Sequence, residues 1–239
     1  IIRRAVEIDK FGNLFFVAFG GGVIGDLVGF SSSVYKRGIP YLQVPTTLLS
    51  CIDSAIGGKT AIDFPFAKNV VGSFWHPLAV IEYLGFLKSI PSRLLEDSIA
   101  EVVKYGVIRD EKLFSVVKKG KVHVYRKEPA MMEEIIKRCV RIKCDVVSKD
   151  EKEKLSLRTI LNFGHTIGHA LEGAGKFVHY THGKAVAIGM VCASRIAYYM
   201  GICKYSLVEE IEGVLKDYNL PFFIDKRIPL SYIMKSLSK

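Results

Sequence analysis

The chain has 239 residues, of which 49% are hydrophobic and 24% charged, and carries a formal net charge of +10. The length allows one large or two modest domains with ample core, and the positive balance favours anionic partners: nucleic acid, a membrane surface, or phosphorylated and carboxylated small molecules. No apolar run reaches the roughly 18 residues that span a bilayer, and the start does not read as a signal peptide.

The opening Ile1–Lys10 reads as the middle of a helix and lacks an initiating Met, which predicts that a further N-terminal portion precedes it. Asn13–Phe19 is a short apolar run suited to a buried parallel strand. Gly20–Asp26 follows at once, then Leu27–Tyr35 as a helix and Ile39–Val44 as a second strand ending at Pro45-Thr46-Thr47. Strand, glycine turn, helix, strand is the order of a βαβ unit. A helical pattern at Leu48–Ser54 leads into a polar Gly-Gly-Lys loop, and Ala79–Tyr83 reads as another strand. Beyond Pro91 helical periodicity dominates, at 92–108, 111–119, 130–148, 159–172, 183–201, 206–217 and 229–237. The predicted architecture is an α/β N-terminal part over 1–85, Rossmann-like but partial, and an all-α C-terminal domain over 86–239. Five cysteines without C-x-x-C spacing, all in apolar or helical surroundings, read as reduced core thiols of a cytoplasmic protein.

Several groups of residues carry chemistry. Gly20–Gly25 satisfies G-x-G-x-x-G directly after a strand, where glycines let the backbone approach a phosphate and the helix start supplies amides. The competing reading is a tight turn that needs positive φ. No acidic residue stands about 20 positions on, where a dinucleotide fingerprint places its ribose ligand. Asp53, Lys59, Lys68 and Asn69 put a carboxylate, two ammoniums and an amide in a Gly-containing loop, either an anion clamp or an exposed polar loop. Lys59, Lys68 and Lys104 stand in Gly-rich or apolar contexts, where an unpaired ammonium is costly. Glu101 and Lys104 share one face of a helix that apolar residues almost encircle, so both should point inward, as an ion pair or with the carboxylate on a metal. Leu161–His182 holds Asn162, His165, His169 and His182. His165 and His169 project from one helix face, and the break at Gly173 and Gly175 lets the chain return His182 to the same point. The alternative is two helix histidines satisfied by core hydrogen bonds and one on the surface. Lys143, Arg158 and Asn162 carry polar groups towards this segment. No basic stripe is interleaved with aromatics, which argues against nucleic acid.

Taken in order, Gly20-Gly-Gly-Val-Ile-Gly-Asp26, Tyr35-Lys-Arg-Gly-Ile-Pro40, Pro45-Thr-Thr47, Asp53–Thr60, Lys68-Asn69, Ala100-Glu-Val-Val-Lys-Tyr-Gly106, Leu161–Glu172 and His182-Gly-Lys-Ala-Val-Ala-Ile-Gly-Met190 run through nearly the whole chain. On these motifs the chain closely resembles the 3-dehydroquinate synthase family of sugar-phosphate cyclases. The resemblance implies the dehydroquinate synthase-like fold, with Glu101, His165 and His182 holding a divalent metal, zinc or cobalt. It implies NAD contacts from Gly22, Val23, Ile24, Gly25, Asp26, Thr46, Thr47, Lys59, Lys68, Phe86, Leu87, Lys88 and Ser89. Asp53, Lys104, Asn162 and His169 match catalytic positions. Arg37, Lys59, Asn69, Lys143 and Arg158 match substrate-binding ones, Arg37 across a dimer interface. Family members extend further at both ends.

The implied reaction is a phosphate-eliminating lyase step of the shikimate pathway, in aromatic amino-acid and chorismate biosynthesis. It converts 3-deoxy-D-arabino-heptulosonate 7-phosphate to 3-dehydroquinate, with NAD reduced and regenerated within the cycle. The implied setting is a cytoplasmic homodimer acting on a small anionic sugar phosphate, without nucleic-acid or membrane partners. Two enzyme readings compete: another sugar-phosphate cyclase, and a metal-dependent polyol dehydrogenase of the glycerol dehydrogenase type. The lysine-rich Asp53–Asn69 stretch and Lys104 argue against the dehydrogenase, because an uncharged polyol needs no such clamp. A basic binding module for nucleic acid or membrane is the non-enzymatic alternative.

Overall fold

The computed structural model of this chain describes residues 1–64, 67–120 and 128–238, with side chains at all of these positions except 67 and 68. It comprises two compact units, Ile1–Ile90 with Cys139–Lys154, and Pro91–Arg138 with Leu155–Lys239.

In the first unit, α1 (Ile2–Ile8) is followed by β1 (Phe16–Gly20), α2 (Gly22–Val34) and β2 (Tyr41–Pro45). An antiparallel hairpin of β3 (Lys59–Phe64) and β4 (Ala67–Phe74) comes next, then the short β5 (Ala79–Val80). β2 lies between β1 and β5, all parallel, with Phe16 opposite Tyr41 and Leu42 opposite Ala79. This is the βαβ order read from the sequence. α2 packs close because its buried residues Gly25, Gly29 and Ser32 are small and recur at helical spacing. A Cβ on Gly29 would lie 2.9 Å from the Tyr41 hydroxyl.

The structure corrects two local expectations here and specifies a third, the Leu48–Ser54 helix. The run ending at Phe19 is not a fully buried strand. Ala18 is in the core, but Val17 and Phe19 are 49% and 58% exposed: side chains alternate along β1, and the face that these two share is less covered than the one Ala18 points to. The helical pattern at Leu48–Ser54 closes as a π-helical turn over Ser50–Ser54. The expected loop is confined to the turn at Gly57 and Gly58, both at positive φ; from Lys59 the chain is strand, and the β-branched Ile62 and Val71 pair across the hairpin.

The second unit is helical. α3 (Ser92–Arg109) and α4 (Glu111–Lys119) precede α5 (Pro129–Lys149), which crosses into the first unit at Arg138–Cys139. A 3₁₀ turn (Leu157–Asn162), α6 (His165–Ala174), α7 (His182–Tyr199), α8 (Tyr205–Asp217) and α9 (Leu230–Leu237) follow. Residues 98–106 of α3 are all buried, so whatever charge this stretch carries is taken inside with it. α6 and α7 meet through Ala170, Leu171, Ala185 and Ile188, with Ile233 of α9 joining the same cluster.

The single helix expected over 159–172 is interrupted. Gly164, at φ 80°, separates the 3₁₀ turn from α6 and makes His165 the first residue of the helix. A Cβ on Gly164 would lie 2.6 Å from Met190 Cγ and 2.8 Å from the Val186 carbonyl oxygen, so only glycine lets this turn close onto α7. All five cysteines are free, as expected, but only Cys51 and Cys139 are buried in the core; Cys192 and Cys203 are half-buried and Cys144 is exposed. Among the described residues no helix is long and apolar enough to cross a membrane.

Candidate functional site

Within the helical unit, the buried stretch of α3 delivers Glu101 with no exposed side-chain surface, and Lys104 pairs with its Oε2 one turn later. His165, at the start of α6, and His182, at the start of α7, each point Nε2 at Glu101 Oε1, both at 3.3 Å. One carboxylate oxygen and two imidazole nitrogens thus lie within 4.8 Å of one another. His169 adds a third ring, with its centroid 5.4 Å from that of His165 and 6.3 Å from that of His182. The ring nitrogens facing away from Glu101 have acceptors behind them. His165 Nδ1 is 3.3 Å from the Phe163 carbonyl oxygen, and His182 Nδ1 is 3.6 Å from Glu172 Oε2.

The approach of α7 is fixed by Asp97, one turn before Glu101 on α3. Its carboxylate accepts from Gly183 N at 3.1 Å, from Lys184 N at 3.2 Å and from the Thr181 hydroxyl. Capping the first turn of α7 in this way also sets where His182 begins.

The two histidines differ electrostatically. Burial, helped by Lys104 and His182, holds His165 below the ordinary imidazole range against the pull of Glu101. Burial also opposes the charged form of His182, but Glu101 and Glu172 outweigh it and push its pKa up to about 10. One carboxylate and two imidazoles are the donor types found in catalytic divalent-metal sites. The residues present therefore fit such an ion.

Arg158, buried, and Asn162, exposed, stand on the 3₁₀ turn that leads into α6. Of the site residues anticipated in this unit, the structure gathers Glu101, Lys104, His165, His169 and His182 at one point. Sequence reasoning gave no role to Asp97, Glu172 or the Phe163 carbonyl. Glu172 could have been flagged by its spacing, three residues after His169 and seven after His165, on the same face of α6.

The first unit carries the remaining candidates. Gly20, Gly21, Gly22 and Gly25 have no positive φ, so they are not there to permit a strained turn; they keep the passage from β1 into α2 free of side chains. No side chain caps α2 at Gly21, and the Gly21 carbonyl accepts from Ile24 N and Gly25 N, both at 3.1 Å. Thr46 N donates to the Gly20 carbonyl at 2.9 Å, which ties the end of β2, and with it Thr47, to the glycine turn. Phe86, Leu87, Lys88 and Ser89 lie in a 3₁₀ turn, with Phe86 edge-on to Phe19 at 5.1 Å. Gly22–Asp26, Thr46, Thr47 and Phe86 thus share the carboxyl end of the parallel sheet, where α/β sheets bind ligands. Burial first, then Asp63 and Asp53, push Asp26 up to about 7 despite Lys143.

Asp53 and Lys143 meet: Lys143 Nζ is 2.5 Å from Asp53 Oδ1. Lys59 departs from expectation, because it is exposed and paired with Glu153 at 2.6 Å rather than held in an enclosing loop. Asn69 is exposed at φ 56° and donates its backbone N–H to Asp63 Oδ1 at 3.1 Å. Lys68 lies on β4, and its side chain falls outside the described ones. Arg37 is exposed, at φ 65°.

A glycine-turned βαβ unit, together with a helical unit that buries a carboxylate against two imidazoles, defines a dehydroquinate synthase-like protein. Solved structures of this kind superpose closely. With ValA (2-epi-5-epi-valiolone synthase) from Streptomyces hygroscopicus subsp. jinggangensis 5008, solved with NAD+ and Zn2+, the TM-score is 0.87 at 28% identity, covering 99% of this chain and 67% of that one. With 2-deoxy-scyllo-inosose synthase, complexed with carbaglucose-6-phosphate, NAD+ and Co2+, it is 0.88 at 31% identity, covering 99% and 65%. The chain belongs to the 3-dehydroquinate synthase family: residues 2–97 match its N-terminal part and residues 98–239 its C-terminal part. It is 43% identical to the 3-dehydroquinate synthase of Thermodesulfovibrio yellowstonii over 99% of its own length and 66% of that relative. It spans 56% of the length of the 3-dehydroquinate synthase of Dictyoglomus turgidum, to which it is 48% identical over 83% of its own length.

Proposed function

We propose that this chain carries the cofactor, metal and substrate groups of a 3-dehydroquinate synthase, which converts 3-deoxy-D-arabino-heptulosonate 7-phosphate to 3-dehydroquinate and phosphate. The observation that carries this reading is the convergence of His165 and His182 on the buried Glu101, beside Lys104, in a member of that family. Identities of 41–49% to relatives bearing that name favour it over a different cyclase, since the solved cyclases of other product type stand at 28–32%.

In this reading residues 1–85 together with Phe86–Ser89 supply the NAD contacts, and the metal ligands and most substrate groups come from 86–239, with Arg37, Asp53, Lys59 and Asn69 added from the first part. Glu101, His165 and His182 hold a divalent cation, zinc or cobalt, as the ions and NAD+ in the related cyclase structures support. The cation supplies Lewis-acid polarisation of a substrate hydroxyl, and NAD takes up and returns the hydride. The amides at the start of α2 receive the cofactor phosphates, with Gly22–Asp26, Thr46, Thr47, Lys59, Lys68 and Phe86–Ser89 completing that contact. Lys104 balances the Glu101 charge and faces the anion that develops as phosphate leaves. Asp53 orients Lys143, which with Arg158 and Asn162 binds the substrate carboxylate, while Asn69 and Arg37 serve its phosphate. His169 moves a proton near the metal ligands. The protein acts as a cytoplasmic homodimer, in which the exposed Arg37 reaches the neighbouring subunit's substrate.

The test is the product balance of the protein given the heptulosonate phosphate, NAD and zinc. Equal release of phosphate and 3-dehydroquinate, without accumulation of NADH, is expected. Steady NADH formation from an uncharged polyol would favour the dehydrogenase reading. No phosphate release from a folded, metal-loaded protein would favour another cyclase.

A further inference from the structure

His165 and His182 present the same nitrogen to Glu101 and are backed differently. Each turns Nε2 to Glu101 Oε1 at 3.3 Å. Behind His165 stands a neutral acceptor, the Phe163 carbonyl oxygen, 3.3 Å from Nδ1. Behind His182 stands a carboxylate, Glu172 Oε2, 3.6 Å from Nδ1. Glu172 sits on α6 with only 4% of its surface exposed. A neutral imidazole offers one lone pair and one N–H, and the partner of the N–H decides which nitrogen is left bare.

We propose that Glu172 is the positioning residue for His182: its carboxylate accepts the Nδ1–H, leaving Nε2 as the bare nitrogen beside Glu101, and thereby tightens divalent-cation binding. This rests on the reading of Glu101, His165 and His182 as metal ligands. The separation lies within about 1 Å of a charge-assisted hydrogen bond, which a side-chain rotation can close. A charged acceptor also makes the imidazole a stronger donor to a metal than a carbonyl does, so the two histidines are not equivalent ligands. With neutral imidazoles, Glu101 and Glu172 against Lys104 leave the cluster one negative charge, which suits a dication. His169 and Glu172 also lie within 4.8 Å of His182, so the same carboxylate could instead belong to a second ligand set.

The deciding experiment measures zinc affinity by chelator competition for the parent protein, Glu172→Gln, Glu172→Met and His169→Ala, with thermal unfolding of each zinc-free protein alongside. Glu172→Met should weaken zinc about 10- to 100-fold. Glu172→Gln, which keeps a neutral acceptor, should weaken it by a smaller factor, and His169→Ala should leave it near the parent value. A downfield imidazole N–H resonance in the zinc-loaded parent should vanish in Glu172→Met, a change that loss of packing alone does not predict. Parent-like affinity in both Glu172 variants overturns the role; if Glu172→Met does not fold, parent-like affinity in Glu172→Gln suffices. Equal losses in His169→Ala and Glu172→Met also overturn it, by assigning Glu172 to the second ligand set. Absence of zinc binding by the parent itself is a separate result, which removes the metal reading and this role together.

Discussion

Lys143 Nζ is held by one residue at two points, Asp53 Oδ1 at 2.5 Å and the Asp53 carbonyl oxygen at 2.6 Å. The Lys143 side chain is 9% exposed and that of Asp53 24%, so the pair is largely but not fully withdrawn from water. Removing the carboxylate leaves a mostly buried ammonium with a carbonyl in its place. Asp53→Asn is therefore expected to cost about 2–3 kcal/mol in urea unfolding, less than a wholly buried pair. Lys143→Met in the same background should recover part of that loss, read as a double-mutant coupling.

Asp26 makes stability depend on pH. Its folded pKa of about 7 lies above its ordinary value of 3.8, so the folded protein retains a proton that the unfolded chain gives up. Stability should fall as pH rises from about 4 to about 7, and stay low above that. Asp26→Asn should raise the unfolding free energy at pH 8, on the order of 1–2 kcal/mol after allowing for partial exposure, and change it little at pH 4. Urea midpoints at the two pH values, without NAD, check this. Glu82, pushed up to about 7 by burial, adds a slope of the same sign that the Asp26 variant leaves in place.

His182 gives metal binding at the proposed site a pH dependence of the opposite sense. With its pKa pushed up to about 10, it is an imidazolium at neutral pH until a cation displaces the proton. Zinc should bind more tightly as pH rises from 7 towards 9, by up to about tenfold per unit for one displaced proton. Calorimetry in buffers of different ionisation enthalpy should show about one proton released at pH 7.5.

Gly164 is expected to be intolerant. Alanine there must adopt φ near 80° and intrude on Met190 and the Val186 carbonyl. About 1–2 kcal/mol for the backbone and a similar amount for overpacking predict a loss of about 2–4 kcal/mol by chemical denaturation.

Much of this was legible in the sequence. The helical periods after Pro91 gave helices whose ends mostly fall within a few residues of the expected ones, because burial along α3 and α7 follows the same apolar spacing. The break at Gly164 was not legible, since the glycine's φ is dictated by contacts with Met190 and Val186, more than twenty positions away. The β3–β4 hairpin was hidden by reading the glycines and charges as a loop, when alternate β-branched residues were already present. At the metal cluster, spacing indicated that His165, His169 and His182 could converge. It could not separate His169 from the other two, nor show that Asp97 holds the start of α7 or that Glu172, although on the same face of α6, stands behind His182, because those contacts join different helices.

In the proposed function, Glu101, His165 and His182 hold the metal on which phosphate elimination depends. Zinc content per chain and phosphate release from the heptulosonate phosphate, measured on the same samples of parent and His165→Ala protein, test it most directly. The expected result is one zinc per chain and chelator-sensitive release in the parent, with both lost in a folded His165→Ala. Full zinc content in His165→Ala, or release from the parent that persists after the metal is stripped, would contradict it.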